Sequence, residues 1–456
     1  MHKLNPDIFR EYDIRGNVEN DFPDHIVTKL GKAFGTAIKR AGGREIAISG
    51  DIRLTTPNLI NCFKSGVLMT GIDIINLGLL PTPVNYFSMF HLGVFGAVQI
   101  TGSHNPPEYN GFKFSIDKKP FFGSDIQSLY TIIETNDYDE GEGSEARYKI
   151  LKNYKKMILE KIKIEKPMRI VMDCGNAAAS INAPEIFKAL GVEVKKLFCD
   201  PDGSFPNHHP DPSVEENLKD LVEEIKKGSY DLGIAFDGDG DRVGVVDEKG
   251  EIIWSDQLLS IFLPEVIKNG EDILFDVKCS QSLEDMILKY GGNPVMWKTG
   301  HSLIKKKMME LNCKLGGEMS GHIFFADDYY GYDDATYVAA RLVQLLSRTD
   351  KKLSELSSII PTYYSTPELR MEAENDIEKF RITKEAVDYF TKNYNCVTID
   401  GVRVKFKDGW GLIRASNTQP VIVCRFEANT LVRKVEIQDL IMNKLKEFGQ
   451  LELETH

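Results

Sequence analysis

One unit, used three times, constrains this chain more than any other feature. An apolar strand runs into an aspartate, an amphipathic stretch follows and stops at a glycine, and a second apolar strand begins. The first strands are residues 46–51, 170–175 and 273–278, and their partners are 71–76, 191–195 and 291–297. Strand, helix and strand at such lengths predict a parallel βαβ unit with both sheet faces covered. Recurrence about every hundred residues predicts three similar α/β domains in series. A chain of 456 residues is also too long for a single core. In each unit a third strand then enters a polar loop: Thr101-Gly102-Ser103-His104-Asn105-Pro106, Asp237-Gly238-Asp239-Gly240-Asp241-Arg242, and Gly317-Glu318-Met319-Ser320-Gly321-His322. Ligands of parallel sheets collect at the carboxyl ends of strands, so the three loops are expected to converge on one cleft.

The expected domains are 1–147, 148–250, 251–361 and 362–456. An acidic run over 137–145 marks the first seam, Gly250 lies near the second, and Pro361 and Pro367 bracket a linker expected to act as a hinge. The last region differs in kind. Residues 397–400 and 402–406 alternate around Asp400-Gly401, a two-residue hairpin signal. Strands over 412–415 and 421–428 and a helix over 432–448 complete a small α+β domain with an antiparallel sheet.

Composition narrows the class of partner. Apolar content of 42% with 27% charged residues is that of an ordinary globular protein. A net charge of −12 argues against a general nucleic-acid or membrane-surface binder, so any contacts to phosphate must be concentrated locally. Seven cysteines stand singly with no C-x-x-C pair, which suits a reducing compartment. The N-terminus has no apolar leader pattern and no apolar run reaches membrane-spanning length; a soluble, cytoplasmic protein is expected.

The loops carry the chemistry. Ser103 is a hydroxyl lifted off a strand end, a candidate nucleophile whose alternative is a surface turn. Asp237, Asp239 and Asp241 alternate with glycines and offer hard oxygen donors suited to Mg²⁺ or Mn²⁺. An EF-hand is excluded, because its sixth position is Arg242 and strands rather than helices flank the loop. A serine hydrolase is disfavoured too: the G-x-S-x-G elbow is missing, and a base directly after the serine, His104, points to the other side of an extended chain. A serine paired with a carboxylate trio instead suits phosphoryl transfer. The run 414–420, with Arg414, Ser416, Asn417 and Thr418, suits a phosphate dianion or a capped turn. Glu318 and Ser320 suit paired sugar hydroxyls. Arg10, Tyr12 and Arg15 near the start, and His301 after Thr299-Gly300, are ligands or structural groups.

Taken together, residues 12–16, 101–106, 110–113, 237–242, 298–301, 317–322 and 414–420 make the chain resemble the α-D-phosphohexomutases, in particular their bacterial phosphomannomutase/phosphoglucomutase branch. The resemblance implies three related α/β domains with mixed sheets and a smaller C-terminal domain around a central cleft. It implies a phosphoserine at Ser103, and Mg²⁺ held by Asp237, Asp239, Asp241 and a phosphoserine oxygen. The phosphoryl group passes to the 1- or 6-hydroxyl of a hexose phosphate, the resulting 1,6-bisphosphate reorients, and its other phosphate returns to Ser103. Glucose 1,6-bisphosphate, or the mannose equivalent, is the implied activator. Glu318 and Ser320 bind sugar hydroxyls; Arg414, Ser416, Asn417 and Thr418 hold the distal phosphate. Arg15, His104, Lys113, Arg242, Lys278 and His301 supply charge and proton transfer, and Tyr12 joins them in substrate binding. The protein is then a monomer or weak dimer acting on phosphosugars. Phosphoglucosamine mutase, a metal-dependent phosphatase and a non-catalytic phosphosugar-binding protein are the alternatives.

Overall fold

The computed structural model describes residues 4–417 and 420–453. The chain divides into two compact units, Met1–Leu258 with Ser320–Ser357, and Leu259–Met319 with Ser358–His456.

The first unit holds the first two repeats. Strand Glu45–Gly50 pairs parallel with Asp73–Leu79 and with Gly96–Ile100. Tyr109–Ile116 then returns antiparallel beside Gly96–Ile100, and Ile14–Asn17 closes that edge. Two helices, Asp24–Arg40 and Thr56–Leu68, pack tightly because Gly31 and Gly66 have no side chain: a Cβ on either would meet the partner helix's carbonyl oxygen at 2.0 Å. Phe34, Phe63, Phe112 and Phe114 fill the core beneath them. The acidic stretch after residue 136 is held, not loose. Arg40 pairs with Asp137 and Asp139, and Glu145–Arg147 joins the sheet beside Asp73–Leu79.

In the second repeat Arg169–Asp173 lies parallel between Glu193–Leu197 and Leu232–Phe236. Val243–Asp247 folds back antiparallel on Leu232–Phe236, so the 237–242 loop is a hairpin between strands. That flanking structure excludes an EF-hand, as the sequence does.

The second unit holds the third repeat, with Asp272–Asp276 parallel to Asn293–Trp297 and to Leu315–Gly317. It also holds an antiparallel sheet in the order Asn395–Val397, Val402–Phe406, Gly409–Ala415, Val421–Ala428, Leu369–Glu372. Helices Asp376–Asn393 and Leu431–Phe448 bury Ile382, Phe390, Ile437 and Ile441 against Val404, Ile413 and Phe426.

One local expectation changes. The hairpin exists, but Val397 pairs with Arg403, and the strands are joined by residues 398–401, a longer loop than the two-residue turn at Asp400-Gly401. Asp400 is engaged elsewhere, accepting from Arg414 Nε and the Thr299 amide. Within the proline-bracketed linker, Tyr364–Ser365 pairs with Ala428 and Glu427, and the Thr366 amide donates to the Phe426 carbonyl. Among the described residues no helix is long and apolar enough to cross a membrane.

Candidate active site

The aspartate that ends each first strand organises the loop beside it. Asp51 accepts from Thr101 Oγ1 and the Gly102 amide, Asp173 from the Gly175 amide while its other oxygen meets His208 Nε2, and Asp276 from Thr299 Oγ1 and the Met319 amide. A buried carboxylate accepting backbone amides that would otherwise lack a partner is the local reason these strand ends can turn.

In the first unit, Ser103 sits at the turn with φ +49°, in the left-handed region. Its Oγ lies 3.3 Å from Asp237 Oδ2 and 3.1 Å from His104 Nδ1. The left-handed turn thus corrects the expectation that His104 points away from its neighbour, which holds only for an extended chain. Burial, then Arg242, Arg15, Lys113 and His209, push the His104 imidazole well below its ordinary range, so a neutral ring faces the hydroxyl.

The carboxylate loop packs directly on the serine. A Cβ at Gly238 would stand 2.0 Å from the Ser103 carbonyl oxygen, so only glycine permits the approach. Asp237 Oδ1 accepts the amides of Gly240, Asp241 and Arg242, which fixes that carboxylate from behind. Lys113, from the antiparallel return strand, reaches Asp239 Oδ2 at 2.8 Å and Asp241 Oδ2 at 2.6 Å. The other oxygen of each, Oδ1, is buried without a hydrogen-bond partner. Burial, then Asp241 and Asp239, raise the Asp237 carboxyl well above its usual range, while for Asp239 burial is outweighed by Lys113 together with hydrogen bonds to Thr82 and Asp237, and its carboxyl is lowered. Three buried carboxylates against one lysine, with two oxygens orphaned, fit a hard divalent cation.

Arg15 donates to Asn105 Oδ1 at 3.0 Å and is held by Asp13, so it does reach the serine loop. Tyr12 lies half-buried just before it. Two functional side chains escape the sequence reading. His322 Nε2 accepts from Arg242 Nε at 3.0 Å, and its Nδ1 faces Asp333 Oδ2 at 3.0 Å and Asp241 Oδ1 at 3.6 Å. The signal was present in the 317–322 motif, but nothing in the sequence links it to Arg242 or Asp333.

In the second unit, Lys278 contacts Glu368 at 3.0 Å, and Arg414 is braced by Asp400. Asp400 also holds the Thr299 amide, tying the 299–301 turn to the Arg414 loop. Glu318 accepts the Gly300 amide at 2.6 Å, immediately before His301 opens the helix His301–Leu311. Lys379, itself buried, donates to the Ser416 carbonyl, and Asn417 follows half-buried. Thr418 lies outside the described residues. The structure therefore gathers Lys278, His301, Glu318, Arg414 and Ser416 within one unit; Ser320 begins the return to the other.

The fold and site have the form of a metal-assisted phosphoryl-transfer enzyme on repeated α/β domains. Residues 6–140, 150–250 and 254–363 match phosphoglucomutase/phosphomannomutase alpha/beta/alpha domains I, II and III, and residues 368–444 match the C-terminal domain of the same family. The chain belongs to the phosphoglucomutase/phosphomannomutase family and is a phosphosugar mutase, an isomerase-class enzyme. It is 46% identical to a phosphomannomutase/phosphoglucomutase of Pseudomonas aeruginosa, over 96% of this chain and 95% of that one. A phosphoglucomutase of Neisseria meningitidis is 40% identical over 96% of each chain. The crystal structure of a phosphoglucomutase/phosphomannomutase family protein from Burkholderia thailandensis superposes with a TM-score of 0.92 at 39% identity, covering 98% of this chain and 100% of that one.

Proposed function

We propose that this enzyme interconverts hexose 1-phosphates and hexose 6-phosphates, of mannose and glucose alike, through a phosphoserine at Ser103. The carrying observation is the placement of Ser103 Oγ 3.3 Å from Asp237 Oδ2, beside the orphaned oxygens of Asp239 and Asp241. In the forward half-reaction the phosphoserine P–O bond breaks as a bond forms to the sugar hydroxyl oxygen, and the hydroxyl proton passes to a base. The return half-reaction moves the other phosphate of the bisphosphate to Ser103 and restores that proton. A neutral His104 beside Oγ and the His322–Asp333 pair beside Arg242 are the proton-handling groups in reach.

Asp237, Asp239 and Asp241 would hold Mg²⁺, which when bound neutralises charge on the moving phosphoryl group. Asp241, His322 and Asp333 form an overlapping group of potential ligands, in which His322 Nε2 is taken by Arg242 and Nδ1 faces the two carboxylates. Lys113 pairs with Asp239 and Asp241, and Arg15 and Arg242 add positive charge around the serine loop. Glu318 in the second unit and Ser320, which opens the return segment of the first, recognise sugar hydroxyls, and Lys278, His301, Arg414, Ser416, Asn417 and Thr418 bind the non-reacting phosphate. Tyr12 lines the substrate's approach. The activator is a hexose 1,6-bisphosphate.

Intact-protein mass with peptide mapping tests the reading. Incubation with glucose 1,6-bisphosphate and Mg²⁺ is expected to add one phosphate to the Ser103 peptide, lost again with glucose 1-phosphate or mannose 1-phosphate. An unmodified Ser103 in a protein that still binds sugar phosphate would overturn it. Turnover of only one sugar in a kinetic comparison would remove the dual specificity.

A further inference from the structure

We infer that Arg53, which touches no expected substrate group, is the positioning residue that sets Ser103 in its reactive conformation; this rests on the phosphoserine reading above. Arg53 follows the first repeat's strand and is 1% exposed. A guanidinium has five N–H donors in a rigid fork, and here all five are engaged. Nε donates to Asp51 Oδ2 at 3.1 Å. The Nη1 group donates to the carbonyls of Pro106 at 2.5 Å and Tyr109 at 3.1 Å, and Nη2 to those of Ser103 at 2.8 Å and Asn105 at 2.5 Å. Four carbonyls spanning 103–109 are thus turned inward onto one buried cation.

That pattern matches what the serine requires. Ser103 occupies the left-handed region, where a side chain costs about 1–2 kcal/mol relative to right-handed backbone. Its own carbonyl is bonded to Arg53 Nη2, and its amide donates to Thr101 Oγ1, which in turn donates to the same Asp51 oxygen that Arg53 holds. The loop therefore wraps the guanidinium like a ring, and the serine backbone is fixed at both its amide and its carbonyl. The 237–242 loop leans on the same carbonyl through Gly238, so shifting Ser103 would move it against the carboxylates as well. The ring of Phe205, 5.2 Å from the guanidinium carbon, closes the remaining side. A lysine keeps the charge but places its donors on a single atom, which cannot serve Asp51 and four carbonyls around a plane.

The test uses full-length enzyme with Mg²⁺. Single-turnover transfer from glucose 1,6-bisphosphate to Ser103 is measured beside glucose 6-phosphate binding and thermal melting. Arg53→Lys is expected to slow transfer at least about 100-fold, the scale of an ångström's misplacement, with sugar-phosphate affinity within about threefold of wild type. A merely structural residue would lower the melting temperature without that split. Gly102→Ala attacks the same contacts from the loop side, because its Cβ would stand 2.6 Å from the Arg53 guanidinium carbon and Nε and 2.7 Å from the Tyr109 carbonyl oxygen that Arg53 holds; the same selective slowing is expected. If Arg53→Lys does not fold, Gly102→Ala decides alone. Transfer at the wild-type rate in a folded Arg53→Lys, or in Gly102→Ala where only that variant folds, overturns the assignment. Wild-type enzyme that acquires no phosphate on Ser103 overturns the phosphoserine reading instead.

Discussion

Lys113 in the first unit and Lys278 in the second are both buried lysines placed beside carboxylates at the end of a strand, yet their surroundings differ. Lys113 faces Asp239 and Asp241, both fully buried, with Asp237 beyond. Lys278 faces Glu368, whose side chain is 34% exposed, and lies 4.0 Å from Asp276. Both lysines are raised above their ordinary range despite burial, the first by Asp239 and Asp241, the second by Glu368 and Asp276. Buried carboxylates outnumber the cation at the first site, which leaves room for a divalent metal. At the second, the glutamate can be hydrated, so Lys278 can be lent to an incoming phosphate without stranding a charge. One device, a buried lysine among carboxylates, is thus placed in two different solvents.

The comparison breaks most visibly at the serine. Ser103→Ala is expected to lower mutase turnover by at least about 10⁴-fold while sugar-phosphate binding persists, as measured by coupled assay and titration. Retained turnover would mean the carboxylates act without a covalent carrier. Chelation of divalent ions is the next largest perturbation, expected to cost about 10³-fold in turnover and to be reversed by Mg²⁺ titration. Lys113→Met sharpens the contrast between the two lysines. It is expected to lower turnover about 10²–10³-fold and to destabilise metal-free enzyme by about 3–5 kcal/mol, partly recovered with Mg²⁺, in denaturant melts. Lys278→Met should instead raise KM about tenfold with little change in kcat and cost ~1 kcal/mol or less of stability. Equal stability losses for the two variants would erase the distinction.

The smallest effect concerns pH. Burial and surrounding cations hold His104 well below its ordinary 6.5, so the native state binds its proton less readily than the unfolded chain. Stability from this group is present above 6.5 and is lost as pH falls from there towards the native value. No His104-dependent limb is accordingly expected at 6.5 in the profile of kcat/KM, compared between wild type and His104→Ala, and one centred there would show an ordinary, hydrated imidazole.

Periodicity made the strands and the three-fold repeat readable, because alternation and buried runs are properties of the chain itself. The carboxylate trio was readable for the same reason: its donors sit within five residues. The repeated aspartates looked like punctuation, and only the structure shows Asp51, Asp173 and Asp276 holding the neighbouring loops. His104 was misjudged because the sequence does not announce a serine in the left-handed region. Arg53, His322 and Asp333 were passed over since their partners lie far along the chain.

By itself the sequence determined the order of strands and helices, the loops that would carry chemistry, and the donor types in each, all consequences of local spacing and side-chain identity. The tertiary structure alone decided which carbonyls surround Arg53, that Lys113 divides one charge between two aspartates, and that a neutral histidine faces its own neighbour's hydroxyl. Those outcomes depend on burial and on contacts between strands distant in the chain, where desolvation sets the strength of every charge and no local pattern encodes the partner.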